Sequence, residues 1–286
     1  MLVKIQGGLG NQMFIYSFAY ALTQKNKIEL ILDTENYDIY TGPLYMLDYF
    51  QIQYKERLIN WEHAQGWSKI YKAIRYVKIL LNGYKVYKEK ESFALDPYLL
   101  NQPIDKLLLV GYWQNYRYFD QYRNEIIEQF KLKKIRKELL CEISKIDKNE
   151  VALHVRRDDY KTYLGGKCLD IKYYRNAMKL CMEENPNSIF CIFTDDINYC
   201  KDVFKDYPTK YIMDNRKFLD IEEMILMSNY SRMIIANSTF SWWAAYLNKV
   251  DNKKIYAPVV DRWGIEFYPD TWIKIETELD KMSENK

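Results

Sequence analysis

Residues 1–33, MLVKIQGGLGNQMFIYSFAYALTQKNKIELILD, decide the fold class. Leu2–Ile5 predicts a short strand, Asn11–Gln24 a helix, and Ile28–Leu32 a second strand that ends at Asp33. Strand, helix and strand in that order make a βαβ unit with a parallel sheet. Between the first strand and the helix lies Gly7-Gly8-Leu9-Gly10-Asn11-Gln12. Such a turn presents backbone N–H groups at a helix N-terminus, which suits an anion. Asn11 and Gln12 add two amides able to reach a phosphate or a sugar hydroxyl. A dinucleotide fingerprint, G-x-G-x-x-G, would use Gly8 and Gly10, with Asp33 on the ribose hydroxyls. The third glycine would fall at residue 13, which is Met13. A generic anion site therefore ranks above nicotinamide binding, and a tight turn without a ligand stays open as a third reading.

The same alternation returns with more force from Val151. Val151–Val155, Ile189–Phe193, Tyr211–Met213, Met233–Ala236 and Lys254–Ala257 predict strands. Tyr173–Glu183, Tyr199–Lys205, Ile221–Ser228 and Phe240–Leu247 predict the helices between them. Short apolar strands alternating with helices predict a doubly wound parallel sheet. With 286 residues, the chain is long enough for two such domains. They are expected over 1–146 and 147–286, joined near Ser144–Asn149. Leu107–Gly111 predicts a strand of the first domain and Phe119–Leu140 a long charged helix.

Composition narrows the class. A chain with 48% hydrophobic and 28% charged residues is globular rather than disordered, and a net charge of +3 is too small to argue for nucleic acid. The 27 tyrosines suit sugar-binding surfaces but are explained more simply by biased codon usage. The five cysteines, Cys141, Cys168, Cys181, Cys191 and Cys200, include no C-x-x-C pair and suit buried thiols in a reducing cytoplasm. No signal peptide or membrane span is expected.

Two constellations carry chemistry. His154-Val155-Arg156-Arg157-Asp158-Asp159-Tyr160 follows directly on the Val151–Val155 strand. In an open parallel sheet, ligands bind beyond the carboxyl ends of the strands. His154 and Arg156 share one face of the extended segment. Adjacent arginines there can grip a diphosphate, since guanidinium binds phosphate oxygens in bidentate fashion and never loses its charge. A solvated salt-bridge cluster is the plainer alternative. The second constellation is Asn237-Ser238-Thr239-Phe240, an N-cap string between an apolar strand and a helix. Its N–H groups and hydroxyls suit a phosphate.

Taken together, GGLGNQMF at the N-terminus, HVRRDDY in the middle, FTDD, and LMSNYSRMIIANSTFSWWAAYL near the end resemble the bacterial α-1,2-fucosyltransferases of glycosyltransferase family 11. The likeness runs the length of the chain in order, and the H-x-R-R-x-D-Y and N-S-T-F-S-W-W strings are specific. It implies a GT-B-like α/β architecture: two Rossmann-like domains with parallel sheets facing across a cleft, the N-terminal one on the acceptor side and the C-terminal one holding GDP-fucose. It also implies inversion at fucose C1, no metal or other cofactor, and transfer to the 2-hydroxyl of a terminal galactose in a surface glycan or O-antigen.

The resemblance assigns the β-phosphate to Arg156, with Arg157 as supporting cation or structural partner. Ser238, Thr239 and the N–H of Phe240 match the helix-start phosphate loop, while Gly8 and Asn11, followed by Gln12, match an N-terminal turn that closes on the donor. For the guanine edge the candidates are Glu223, Asp195 and His154, although related chains often carry Asp where this one has Glu223. Asp159 is the expected general base, and Asp158 stands where the family often has Gly. Another GDP-sugar donor is the nearer alternative, a non-catalytic sugar-nucleotide-binding module and an NAD(P)-dependent oxidoreductase the remoter ones. The protein is expected in the cytoplasm. Residues Ser68–Leu81 place Ile70, Ile74, Val77 and Leu81 on one helical face. That face is expected to cover its own domain, with peripheral contact to an anionic membrane as the alternative. Trp113 is expected at the cleft, Trp242 and Trp243 in the core.

Overall fold

The computed structural model describes residues 1–34, 37, 44–58, 68–101, 103–157, 160, 165, 167–212, 218–261 and 263–281. The chain divides into two compact units, Met1–Lys133 and Lys134–Lys286. Each is an open parallel α/β sheet.

Unit 1 contains β1 (Leu2–Lys4), α1 (Leu9–Asn26), β2 (Ile31–Asp33), β3 (Glu56–Leu58), α2 (Ser68–Leu81), β4 (Lys85–Lys88), α3 (Pro97–Asn101), β5 (Leu107–Val110) and α4 (Arg123–Gln129). Its strands are parallel, in the order β3-β2-β1-β5-β4. Val3, in the central strand, pairs with Leu32 on one side and Leu109 on the other. α1 buries Phe14, Ile15, Tyr16 and Phe18 completely, so it is a core helix rather than an amphipathic cover. Phe18 stacks on Trp113 with ring centroids 4.4 Å apart. Trp113 is buried and belongs to this core, not to a ligand surface as its place after β5 suggested.

Unit 2 contains α5 (Lys137–Ser144), β6 (Glu150–Val155), β7 (Lys167–Leu169), α6 (Ile171–Glu184), β8 (Ile189–Thr194), α7 (Ile197–Val203), β9 (Thr209–Tyr211), α8 (Asp220–Met227), β10 (Arg232–Ile234), α9 (Thr239–Leu247), β11 (Lys254–Val259), β12 (Ile273–Glu276) and β13 (Leu279–Lys281). Six parallel strands run β12-β11-β10-β6-β8-β9, and β7 and β13 form an antiparallel ribbon. The chain leaves β6 through β8 and β9 on one side and then returns to β10 on the other. That is the doubly wound order, and its reversal lies between β6 and β10. Val151, Leu153, Val155, Ile234 and Ala236 face one core, which turns His154 to the opposite face of the sheet. Arg232 is buried at the amino end of β10, where its guanidinium donates to Ser188 Oγ (2.8 Å) and to the carbonyls of Cys181, Lys148 and Asn149. It is a structural cation, with both terminal nitrogens engaged.

The predicted helix over Phe119–Leu140 is broken. α4 ends at Gln129, Phe130 packs edge-on to Phe50 and Tyr16, and Leu132 bridges to Phe50. α5 then belongs to unit 2, where Arg136 makes a bidentate pair with Glu222 of α8. The division between the units thus precedes α5, rather than following it at residue 146. β3, β4, β7, β12 and β13, short strands away from the sheet centres, carry no clear apolar run and are not predicted from the sequence.

Gly7 sits at φ +79°, and a Cβ there would lie 2.7 Å from Asn11 Nδ2. Gly8 has an ordinary φ of −71° and open space around it. Gly7→Ala is therefore expected to destabilise unit 1 by about 1–3 kcal/mol. Gly8→Ala costs less than about 1 kcal/mol. Urea unfolding of the two variants distinguishes them.

Candidate functional site

The carboxyl edge of the unit 2 sheet gathers the charged groups of the H-x-R-R motif. Past the end of β6, Arg156 Nε lies 3.2 Å from Asp195 Oδ2, at the end of β8. Asp195 Oδ1 accepts the Arg157 backbone N–H at 2.9 Å. Asp195 thus fixes both the side chain of one arginine and the backbone of the next. Its oxygens are engaged by the arginines, which argues against the guanine-reading role considered for it. Arg156 stays partly exposed, with its Nε held by Asp195.

Arg157 is held differently. Its Nε lies 3.1 Å from Asp196 Oδ2, and its guanidinium carbon stands 3.4 Å from the Tyr199 ring centroid. Asp196 also caps α7 by accepting the Tyr199 N–H. Sandwiched and mostly buried, Arg157 locks the β6 and β8 ends together. Its charge is thus met by Asp196 and the Tyr199 ring within the fold.

Across the reversal point, Ser238 caps α9 and its Oγ accepts the Phe240 N–H at 3.3 Å. The Phe240 amide foreseen for a phosphate is therefore already bonded to the cap. Thr239 and Ser241 are the other first-turn amides, which have no acceptor within a helix. The positive end of the α9 dipole adds to the Arg156 charge at this edge.

Two buried polar atoms here have no hydrogen-bond partner among the described residues: His154 Nδ1 and Asn237 Oδ1. His154 is 4% exposed and Asn237 2%. The His154 ring lies 5.4 Å from that of Phe240 in the first turn of α9. Burial, and secondarily the Arg156 charge, push the imidazole down to about 3. It is neutral at working pH and offers one donor and one acceptor. An unpaired buried polar atom costs about 1–3 kcal/mol, so two at one strand edge call for an explanation. Tyr160 supports the same place, its hydroxyl donating to the Asn237 carbonyl at 2.5 Å. Asn237 and Tyr160 lie within the motifs, but spacing alone does not single them out.

Other candidates fare differently. Glu223 is buried in the first turn of α8, next to the Glu222 that Arg136 holds. Asp158 and Asp159 lie outside the described residues. In unit 1, Gln12 is fully buried; its Nε2 donates to the carbonyls of Gly7 (3.0 Å) and Leu44 (2.8 Å), and its Oε1 accepts from Met46 N at 2.9 Å. It braces the turn and has no group left for a ligand, contrary to expectation. Asn11, partly exposed, accepts from Gln114 Nε2 at 2.7 Å, and Gly8 is exposed. Met13 is fully buried where a dinucleotide turn would have glycine. Among the described residues, no three His, Cys, Asp or Glu side chains are grouped to hold a metal ion. Nor is any helix there long and apolar enough to cross a membrane.

The model of Glycosyl transferase family 11 matches residues 1–263. The chain belongs to glycosyltransferase family 11. It is 30% identical to an alpha-1,2-colitosyltransferase of Escherichia coli, over 96% of this chain and 99% of that protein. It is 23% identical to a galactoside 2-alpha-L-fucosyltransferase of Caenorhabditis elegans, over 96% of this chain and 76% of that protein. Among solved structures, a mutant of Arabidopsis thaliana FUT1 in complex with GDP matches with a TM-score of 0.51 and 12% identity, covering 94% of this chain and 72% of that one. The fold is of the GT-B type, two Rossmann-like units with parallel sheets, and the family assignment indicates glycosyl transfer. It leaves the dinucleotide reading without support.

Because His154 titrates far below its ordinary 6.5 in the folded protein, only the unfolded chain takes up its proton as pH falls through that value. Stability is therefore independent of the His154 proton above pH 6.5 and falls progressively from there down to about 3. Between pH 6.5 and 5.5 the loss is about 1 kcal/mol. Urea unfolding across this range is expected to show that slope in the native sequence and a flatter one in His154→Gln.

Proposed function

We propose that the protein is an inverting, metal-independent α-1,2-fucosyltransferase that moves L-fucose from GDP-β-L-fucose to the 2-hydroxyl of a terminal galactose. The setting we propose is a cytoplasmic step of bacterial surface-glycan or O-antigen assembly. The observation that carries the donor site is the pair of buried, unpartnered atoms, His154 Nδ1 and Asn237 Oδ1, beside Arg156 at the strand-order reversal of unit 2. Two such groups side by side at the strand-order reversal, where ligands gather in open parallel sheets, support a ligand site there. The relatives' names, and GDP in the FUT1 structure, support a guanosine diphosphate sugar as that ligand.

In this reading the acceptor 2-oxygen attacks fucose C1 as the bond from C1 to the β-phosphate oxygen breaks, with inversion. Charge building on the departing GDP is met by Arg156 and by the start of α9 with Ser238 and Thr239; each well-placed donor supplies about 3 kcal/mol. Asp195 holds Arg156 by its Nε, so the guanidinium needs little reorganisation when the phosphate arrives. The acceptor's proton passes to a carboxylate, for which Asp159 is the proposed residue. His154, kept neutral, serves as a hydrogen-bonding group and not as the base. Glu223 is proposed for the guanine edge.

A second reading has an observation of its own. The colitosyltransferase is more similar in sequence than the fucosyltransferase. Colitose is fucose without the 3-hydroxyl, so the same phosphate site would serve a 3-deoxy donor.

Thermal melting with GDP, UDP, CDP and NAD, followed by incubation of GDP-fucose with lactose and linkage analysis, tests the reading. GDP alone is expected to raise the melting temperature, and the product to be an α-1,2 linkage. Arg156→Ala is expected to lower kcat/KM by about 10²–10³ with unchanged melting of the free protein. Asn237→Ala should shrink the GDP-induced shift. Near-normal turnover in Arg156→Ala would overturn the phosphate assignment, and turnover with the 3-deoxy donor alone would favour the second reading.

A further inference from the structure

α2 presents its apolar stripe to solvent. Ile74, Val77 and Leu81 recur at helical spacing and are 51%, 51% and 81% exposed. Among the described side chains of the helix, Ile79, on the opposite side, is the partly buried one. Tyr76 and Leu80 are also exposed and widen the apolar surface. The side toward the protein is therefore the one that carries Ile79, and the expectation that Ile74, Val77 and Leu81 cover their own domain does not hold. An amphipathic helix gains most of its stability from burying such a stripe, yet these three residues of it are left to solvent.

The surroundings of the stripe are cationic. Residues 68–88 include Lys69, Lys72, Arg75, Lys78, Lys85 and Lys88 and no acid, while the whole chain carries a net charge of only +3. Lys78, Lys85 and Lys88 are exposed. Gly83, at φ +83°, ends the helix, and Tyr84 N and Gly83 N donate back to the carbonyls of Ile79 and Leu80. At that turn Lys106 Nζ donates to the Asn82 carbonyl at 3.2 Å, and Lys85 N–H bonds the Lys106 carbonyl. Lys78, Lys85 and Lys106 thus collar the end of the helix at which Leu81 stands out. Asp105, beside Lys106 in the chain, and Glu29, paired with Lys55, are acids at the same edge of the sheet.

We infer that α2 docks the protein on an anionic lipid bilayer, with Ile74, Val77 and Leu81 entering the boundary between headgroups and acyl chains. The lysines meet lipid phosphates, and Tyr76 has the amphipathic ring that suits the interface. A second copy of the chain fits the face less well, because residues 68–88 are basic and without an acid, so that a two-fold contact sets like charge against like charge. α2 ends at the amino edge of the unit 1 sheet, opposite the carboxyl edge that carries Gly8 and Asn11. Lipid contact at this end of α2 leaves that edge uncovered. The inference does not depend on which sugar donor the protein uses.

Co-sedimentation of the full chain with phosphatidylcholine vesicles, with and without phosphatidylglycerol, tests the inference. Partitioning is expected to be at least about tenfold stronger with the anionic lipid and to fall steeply when salt is raised to about 0.5 M. The variant Ile74→Ser, Val77→Ser, Leu81→Ser should lose at least about tenfold of that binding. Melting temperature and transfer to a soluble acceptor should be unchanged, since only exposed side chains are altered. Lys78→Glu with Lys85→Glu should lose binding to the anionic vesicles as well. Equal partitioning of wild type and the triple serine variant would overturn the inference. So would sedimentation equilibrium, without lipid, showing a dimer in the wild type that the triple variant abolishes, since a second copy would then be the occupant.

Discussion

Parallel strands end together, and in a doubly wound sheet the loops that follow two adjacent central strands depart to opposite faces. In unit 2 the two strands concerned are β6 and β10, which pair directly. Residues far apart in the chain, from Arg156 to Ser238, are brought to one edge for that reason. None of them needs to be near another in sequence. The α9 dipole, the Arg156 charge and the orphaned His154 and Asn237 atoms all follow from where the strands stop.

That edge is costly to build. Two guanidinium groups next to each other repel, and the protein answers with the consecutive acids Asp195 and Asp196, one for each. The two pairs are not equivalent. Arg157 is stacked, bonded and largely removed from water, whereas Arg156 keeps part of its surface exposed. One arginine builds the edge, and the other presents charge along it. The neutral state of His154 follows from the same arrangement, since a buried ring beside a fixed cation sheds its proton.

Unit 1 shows a related economy with different materials. Its glycine turn is held from within by Gln12, whose amide substitutes for the contacts a longer loop would need. Gly7 is glycine because the backbone turns through a left-handed conformation against Asn11. The apolar stripe of α2 departs from the general rule that such faces turn inward, and its lysines supply the physical reason to look outside the chain for its partner.

The sequence by itself determined the two parallel α/β units, most central strands and helices, and the motif residues at the ends of β6 and β10. These depend on local periodicity, capping residues and the rule that ligands gather at strand ends, all of which act over short stretches of chain. It also carried the family resemblance, because strings such as HVRRDDY and NSTFSWW are specific without reference to space. Only the tertiary structure decided which polar groups were already engaged. Gln12 and Asp195 look like ligand-binding side chains until their partners, remote in sequence, are seen to use them. Asn237 reads as a simple cap until its side-chain oxygen is found buried and unpaired. The breaking of the predicted Phe119–Leu140 helix, the edge strands and the outward turn of α2 were likewise beyond the sequence. Hydrogen bonds and burial belong to pairs of segments, and a pattern within one segment does not say what the other will contribute.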